Sequence, residues 1–308
     1  PDGSIGSAQA FIFNLRDPKF QDPAVREAIR LMFNFEWSNE TLFYGLYDRV
    51  DSFWQNSDLQ ARGVPSMGEL ALLQPLVDDG LLDASILTDE AVLSPTSDAR
   101  RPTDRANLRL ASDLLAGAGW IAGDDGIRRK DGQTLSVEFL TASPSFDRII
   151  NPYIENLQRL GIDASLDRVD FAQYVERLNA PSEFDMITHT MTQGFEPGTS
   201  MRQWFASETA ADSSRNLMGL QNEAIDRLMT IVINAESLED MTNGTHALDR
   251  VLRAEGFWVP QWYKSVHSVA YYDMYEYPDP LPPFALGNLS FWWYNADRAE
   301  ELKAAGAF

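Results

Sequence analysis

Between Phe13 and Trp37 the chain reads FNLRDPKFQDPAVREAIRLMFNFEW, an apolar run that passes through a proline turn into a periodic segment. Val25, Ala28, Ile29 and Met32 recur at i, i+3, i+4 and i+7, with Arg26, Glu27 and Arg30 on the opposite side. The pattern predicts a strand over 10–15, then an Asp22-Pro23 cap and an amphipathic helix packed on a sheet. The turn between them carries neither phosphate-cradling glycines nor a nucleophile.

The same two periodicities organise the rest of the chain. A short helix is expected over 39–47, followed by loop-rich polar sequence. Ser66 and Glu69 then form a capping box ahead of a short helix over 67–73, and 75–103 reads mainly as irregular connection. Leucines and isoleucines recur through that connection, so it is not an interdomain linker. A helix over 104–115 ends at Gly117 or Gly119, and Asp125-Gly126 and Asp131-Gly132 are turn signals. The second of them predicts a β-hairpin that ends in a strand over 135–141.

Helical period returns over 145–160 across Pro152, which should kink the helix or mark its true start. A strand over 162–169, a helix capped by Asp170, and a strand over 184–190 follow. Two more helices are expected over 223–235 and 237–255, the second with a Ser237-x-x-Asp240 box. Hairpin, helix, strand, helix, strand is the order of an α/β fold with a mixed β-sheet flanked by helices. Beyond Val259-Pro260 the composition changes: residues 257–294 hold four Trp and six Tyr together with PDPLPP, which places a boundary near residue 260.

Charge and cysteine content narrow the chemistry. The chain has 308 residues, 25 basic against 46 acidic, a formal net of −21, so phosphate backbones and anionic membranes are repelled and nucleic acid is not an expected partner. There are no cysteines, which excludes disulfides, thiolate metal sites and Cys nucleophiles. Apolar runs fall far short of the roughly 20 residues of a membrane helix. The opening PDGSIGSAQA has no signal-peptide pattern, as expected of a processed or truncated chain.

The familiar catalytic patterns are absent. No P-loop occurs, no G-x-S-x-G, and His189, His246 and His267 lie far apart with no H-E-x-x-H. GDDGIRRKDG lacks the register of a calcium loop, so neither a metal nor a cofactor is expected. Acidic residues and tail aromatics keep a glycan- or peptide-acting hydrolase open as an alternative, although spacing in sequence says nothing about carboxyl separation. A scaffold that assembles through its aromatic tail is a third reading.

Seven ordered motifs carry a family resemblance. The opening stretch, followed by EWSNETLFYGLYDRVDSFW, LASDLLAGAGW, LQRLGIDASLDRVDFAQY, SRNLMGLQNEAID, ALDRVLRAEGFWVPQWY and LSFWWYN, resembles the family 5 extracellular solute-binding proteins, the oligopeptide-type receptors of ABC importers. Within that family it is similar to the subgroup that handles oligopeptides and microcin C-like conjugates.

The resemblance implies a type II periplasmic-binding-protein-like lobe and correspondence to the C-terminal portion of a longer, periplasmic protein. Residues 10–258 would form the second lobe, and 259–308 would cross back to complete the first. The implied function is non-catalytic capture of a peptide-like ligand by two closing lobes, in partnership with an importer's membrane permease and as a monomer when full length. Many family members carry a W-x-x-D-Y-x-[DE]-P loop whose Asp anchors the peptide amine. Here TMTQGFEP keeps Glu196 and Pro197 but has Thr190 and Gln193 at the Trp and Asp positions. The expected ligand-binding residues are Gln193, Phe195, Arg202 and Trp204 from this loop. Trp262, Tyr263 and His267 join them from the return crossing, and Asn14 and Arg16 from the entry crossing, where they orient a carboxylate or brace the chain.

Overall fold

The computed structural model describes residues 3–179 and 183–307. Strand β1 (Ala8–Phe13) leads to α1 (Pro23–Leu31), whose N-cap Asp22 accepts from Ala24 N at 2.9 Å with Pro23 in the first turn, as the sequence requires. Helix α2 spans Phe35–Leu42, earlier than expected, because Asn34 caps it by accepting from Trp37 N at 2.8 Å. It stops where Tyr44 and Gly45 turn to positive φ, and the Asn39 side chain hydrogen-bonds both the carbonyl and the N–H of Tyr47. Residues 43–47 are therefore a turn.

After β2 (Asp48–Arg49), α3 (Met67–Asp78) starts on the Ser66–Glu69 capping box. It runs past Pro75 and ends near Gly80, at φ +73°. Burial of Leu73 and Leu76 on one face carries the helix through the lost N–H. Helix α4 (Arg105–Gly117) is capped by Asp104.

The two Asp-Gly turns form a three-stranded meander, β3 (Ile121–Ala122), β4 (Arg128–Lys130) and β5 (Gln133–Thr134). Asp131 and Gly132 both have positive φ, which suits a two-residue hairpin loop. The hairpin ends at β5, and the next strand, β6 (Ser136–Thr141), joins a different sheet.

Helix α5 (Asp147–Arg159) begins ahead of Pro152 and contains it, so the proline does not mark its start. Strand β7 (Asp163–Arg168), α6 (Phe171–Asn179) and β8 (Met186–Met191) follow, then the short α7 (Arg202–Phe205). Helices α8 (Glu223–Ile233) and α9 (Leu238–Glu255) come next, and Ser237 caps α9 by accepting from Asp240 N at 3.0 Å.

The tail holds β9 (Trp258–Pro260), β10 (Trp262–Tyr263), β11 (Tyr275–Glu276), β12 (Trp293–Tyr294) and α10 (Ala296–Ala304).

The central sheet is mixed, in the order β7-β6-β8-β1-β9. Strands β7 and β8 run parallel to β6, whereas β1 is antiparallel to both β8 and β9. Alternation along β1 sends Ala8, Ala10 and Ile12 into a core shared with α3, α8 and α9, and Phe11 and Phe13 into one shared with α1, α4 and α5. Phe11 meets Phe33 and Phe139 edge-on, each at 5.5 Å.

Long connections are pinned by ions rather than by strands. Asp249 of α9 is fully buried and accepts from Ser52 Oγ, Phe53 N, Ala61 N and Arg253, all within 3.1 Å. Arg253 also donates to the Ala61 and Val92 carbonyls, and Arg250 to Glu69 and the Gly63 and Asp89 carbonyls. One helix face thus holds the whole stretch from 52 to 92. Burial pushes the Asp249 carboxyl pKa up, opposed by the Arg253 charge. Asp249→Ala leaves a buried guanidinium uncompensated and should cost about 3–5 kcal/mol. A urea midpoint unchanged from wild type would show that the loops hold themselves.

Candidate functional site

The register decides which strand ends share an edge. Ala8 pairs with Met191, Ala10 with Pro260, and Thr141 with Arg168. The carboxyl ends of β6, β7, β8 and β9 therefore meet the amino end of β1 at one edge, the position at which open α/β sheets bind ligands. Phe13 pairs with Met186 at the other edge.

This topology divides the residues expected from sequence into two groups. Asn14 and Arg16 follow Phe13 and lie about 20 Å, six strand residues, from the carboxyl edge. The Asn14 Nδ2 donates to the Phe184 carbonyl at 3.0 Å, and its Oδ1 accepts from Arg16 Nη1 at 3.1 Å. The Arg16 guanidinium also donates to the Leu217 carbonyl at 2.9 Å and to the Ala210 carbonyl. It lies so close over Gly219 (φ +69°) that a Cβ there would stand 2.6 Å from Cζ. Of the two roles expected for Arg16, bracing is the one this geometry provides.

At the carboxyl edge, Gln193 lies two residues beyond β8, is 8% exposed, and its Nε2 has no hydrogen-bond partner among the described residues. Phe195 is exposed and meets Phe284 of the tail edge-on at 5.2 Å. Trp262 is half-buried among Phe43 at 4.8 Å, Tyr47 at 6.0 Å and Phe146 at 6.3 Å. Tyr263 is its neighbour on β10, and burial raises the phenol pKa. Both line a cavity of about 350 Å³ with residues 4–7, Gln9, Tyr47 and Lys264. His267 is exposed, three residues beyond Lys264.

Arg202 and Trp204 stand apart from that cavity. The Arg202 guanidinium faces Glu208 at 3.4 Å and Thr230 at 3.4 Å on the exposed side of α8. Trp204 is 7% exposed and belongs to the sheet core, with the His189 ring at 5.5 Å and the Arg215 guanidinium over its face at 4.8 Å.

Sequence reading overlooked Gln9 and Lys264. Gln9 is a lone amide in an apolar strand, and Lys264 is one of four lysines in the chain; that scarcity was the available signal. Gln9 donates from Nε2 to Gln261 Oε1 at 2.7 Å, and the fully buried Gln261 keeps an unpartnered Nε2. Buried donors without an acceptor are costly, and Gln193 and Gln261 each carry one at this edge.

The edge is suited to hydrogen bonding and aromatic contact. Glu69 and Asp249, the buried carboxylates among the described residues, are committed to the α9 arginines. No group of three or more His, Cys, Asp or Glu among the described residues is arranged to hold a metal.

Mixed sheet, two helical cores and a carboxyl-edge crevice define an α/β lobe of the type II periplasmic-binding-protein class. An oligopeptide-binding protein from Bacillus subtilis, AppA, in complex with a nonapeptide superposes with a TM-score of 0.62 at 18% identity, over 94% of this chain and 51% of its own. The profile of the bacterial extracellular solute-binding proteins, family 5 Middle, matches residues 2–213. The Probable peptide-binding protein YejA of Agrobacterium fabrum is 35% identical over 292 residues, 94% of this chain and 47% of its own length. YejA of Escherichia coli is 34% identical over 295 residues, 95% and 48% respectively. The chain belongs to the family 5 bacterial extracellular solute-binding proteins. It spans about half the length of these curated relatives.

The environment of His189 makes a pH dependence. Its imidazole pKa is lowered chiefly by burial, partly opposed by its hydrogen bond with the Arg215 carbonyl at 3.1 Å. The stability carried by the neutral ring is present above the ordinary value near 6.5 and is lost as pH falls from there through the folded value. Thermal melts between pH 7.5 and 5 should fall less steeply for His189→Gln than for wild type. Parallel slopes would exclude His189 as the cause.

Proposed function

We propose that this chain is the ligand-embracing C-terminal portion of the periplasmic receptor of an ABC importer, and that it captures an oligopeptide or peptide-like solute without chemistry. Residues 10–258 form the second lobe, and 259–308 return to complete the first. Closure of the two lobes places the ligand against the carboxyl edge, and the receptor then presents it to the membrane permease.

The observation that carries this reading is the cavity at the carboxyl edge, where the Gln9 amide stands beside the aromatic rings of Tyr47, Trp262 and Tyr263. Peptide backbone offers the complementary carbonyls, each hydrogen bond being worth roughly 0.5–1.5 kcal/mol net. The peptide-binding name of the Agrobacterium relative and the nonapeptide in the Bacillus structure agree with it. The tail also agrees, because Leu289 is 96% exposed and Phe284, Phe291, Trp293 and Tyr294 are each about half exposed or more, an apolar surface that a first lobe would cover.

Native mass spectrometry of the full-length protein, purified from periplasm without refolding, should find a peptide-like adduct that is released on unfolding. A covalent intermediate would instead support the hydrolase, and a sugar adduct would overturn the peptide ligand. Gln193→Leu separates binding from folding. Removing an unpartnered buried amide leaves stability equal or higher while ligand affinity falls about three- to tenfold, the loss of one hydrogen bond. Unchanged affinity by calorimetry would remove Gln193 from the site.

A further inference from the structure

The cavity at the carboxyl edge has a charge character opposite to that of the chain. In a molecule with 46 acidic residues, its lining contains none: residues 4–7, Gln9, Tyr47, Trp262 and Tyr263 are neutral, and Lys264 is a cation. The Lys264 Nζ donates to Ser268 Oγ at 2.7 Å and forms no ion pair with a described carboxylate. The acids whose charge reaches Tyr263 are Asp48 and Asp51. Neither lines the cavity: Asp48 accepts from the Ser265 hydroxyl and Asp51 from Ser94 N at 2.7 Å.

A second positive charge stands behind the aromatic wall. Arg49 pairs across strands with Trp262, and its guanidinium lies over Phe33 and Phe35 at 5.4 and 5.1 Å. None of its three nitrogens has a hydrogen-bond partner among the described residues, and its charge is ion-paired with Glu36 at 3.9 Å. Low-dielectric walls concentrate the field of the Lys264 charge in the cavity it lines. Among the lining residues an ammonium group would find no counter-ion, whereas a carboxylate would find one in Lys264 and further polar contacts along Gln9 and Tyr263.

We propose that this cavity is the subsite for the carboxylate end of the ligand, with Lys264 as its counter-ion and Trp262 and Tyr47 covering the last side chain. The assignment rests on the peptide reading above and fixes the ligand's polarity: its charged acid terminus lies against β10, its amino end points away. The volume, about 350 Å³, is at the lower end of ligand pockets and suits a chain end better than a whole peptide.

Calorimetry on the full-length protein with tetra-alanine and its C-terminal amide tests this. The free acid should bind at least tenfold more tightly than the amide. Lys264→Met should bring that ratio close to one, and Lys264→Arg should keep it well above one. Equal affinity for acid and amide in the wild type would overturn the subsite while leaving peptide binding in place, as would a ratio unaffected by Lys264→Met. Binding of neither peptide would overturn the subsite and the peptide reading together. The wild-type ratio stands independently of whether the variants fold.

Discussion

Strand β1 lies between β8 and β9, antiparallel to both, and most of what this lobe can do depends on that pairing. Its register brings Ala8 to Met191 and Ala10 to Pro260, so loops far apart in sequence leave the sheet at one edge. Shifting β1 by one residue would exchange Phe11 and Phe13 for Ala10 and Ile12 on the face that packs against α1 and α5. The two cores, one receiving alanines and an isoleucine from β1 and the other its phenylalanines, make that exchange costly. The same constraint that stabilises the sheet therefore fixes which side chains share the crevice.

Around that sheet, stability and recognition use different chemistry. The α9 acid and arginines satisfy their charges internally, with carbonyls and N–H groups of the 52–92 connection as partners. Buried ions of this kind hold loops in place because leaving any one partner alone in the interior is expensive. At the carboxyl edge the Nε2 donors of Gln193 and Gln261 lack partners among the described residues, and Lys264 has no described carboxylate beside it.

The resemblance and the bottom-up reading succeeded at different levels. Caps were legible because they are local: Asp22, Ser66, Asp104 and Ser237 each accept from an N–H two or three residues ahead, a geometry that three or four residues specify. Helix α2 was misplaced because Asn34 as a cap competes with the helical composition of the next segment, and left-handed backbone at Tyr44 is not written in its side chain. Pro75 does not end α3 and Pro152 does not start α5, since tertiary burial of one helix face outweighs a single missing hydrogen bond. The hairpin's Asp131-Gly132 turn was readable, but the transfer of the chain to the central sheet after β5 depends on pairing with β7 and β8.

The sequence by itself determined the helix starts, the amphipathic faces, the acidic balance, the family and the identity of the loop after β8. These depend on neighbours within a few residues or on motifs preserved in order. Tertiary structure alone decided that Asn14 and Arg16 sit a strand's length from Gln193, that Trp204 is core while Trp262 lines a cavity, and that Gln9 and Lys264 share it. Strand direction and register set those distances, and they arise from contacts between segments more than a hundred residues apart, which no local pattern encodes.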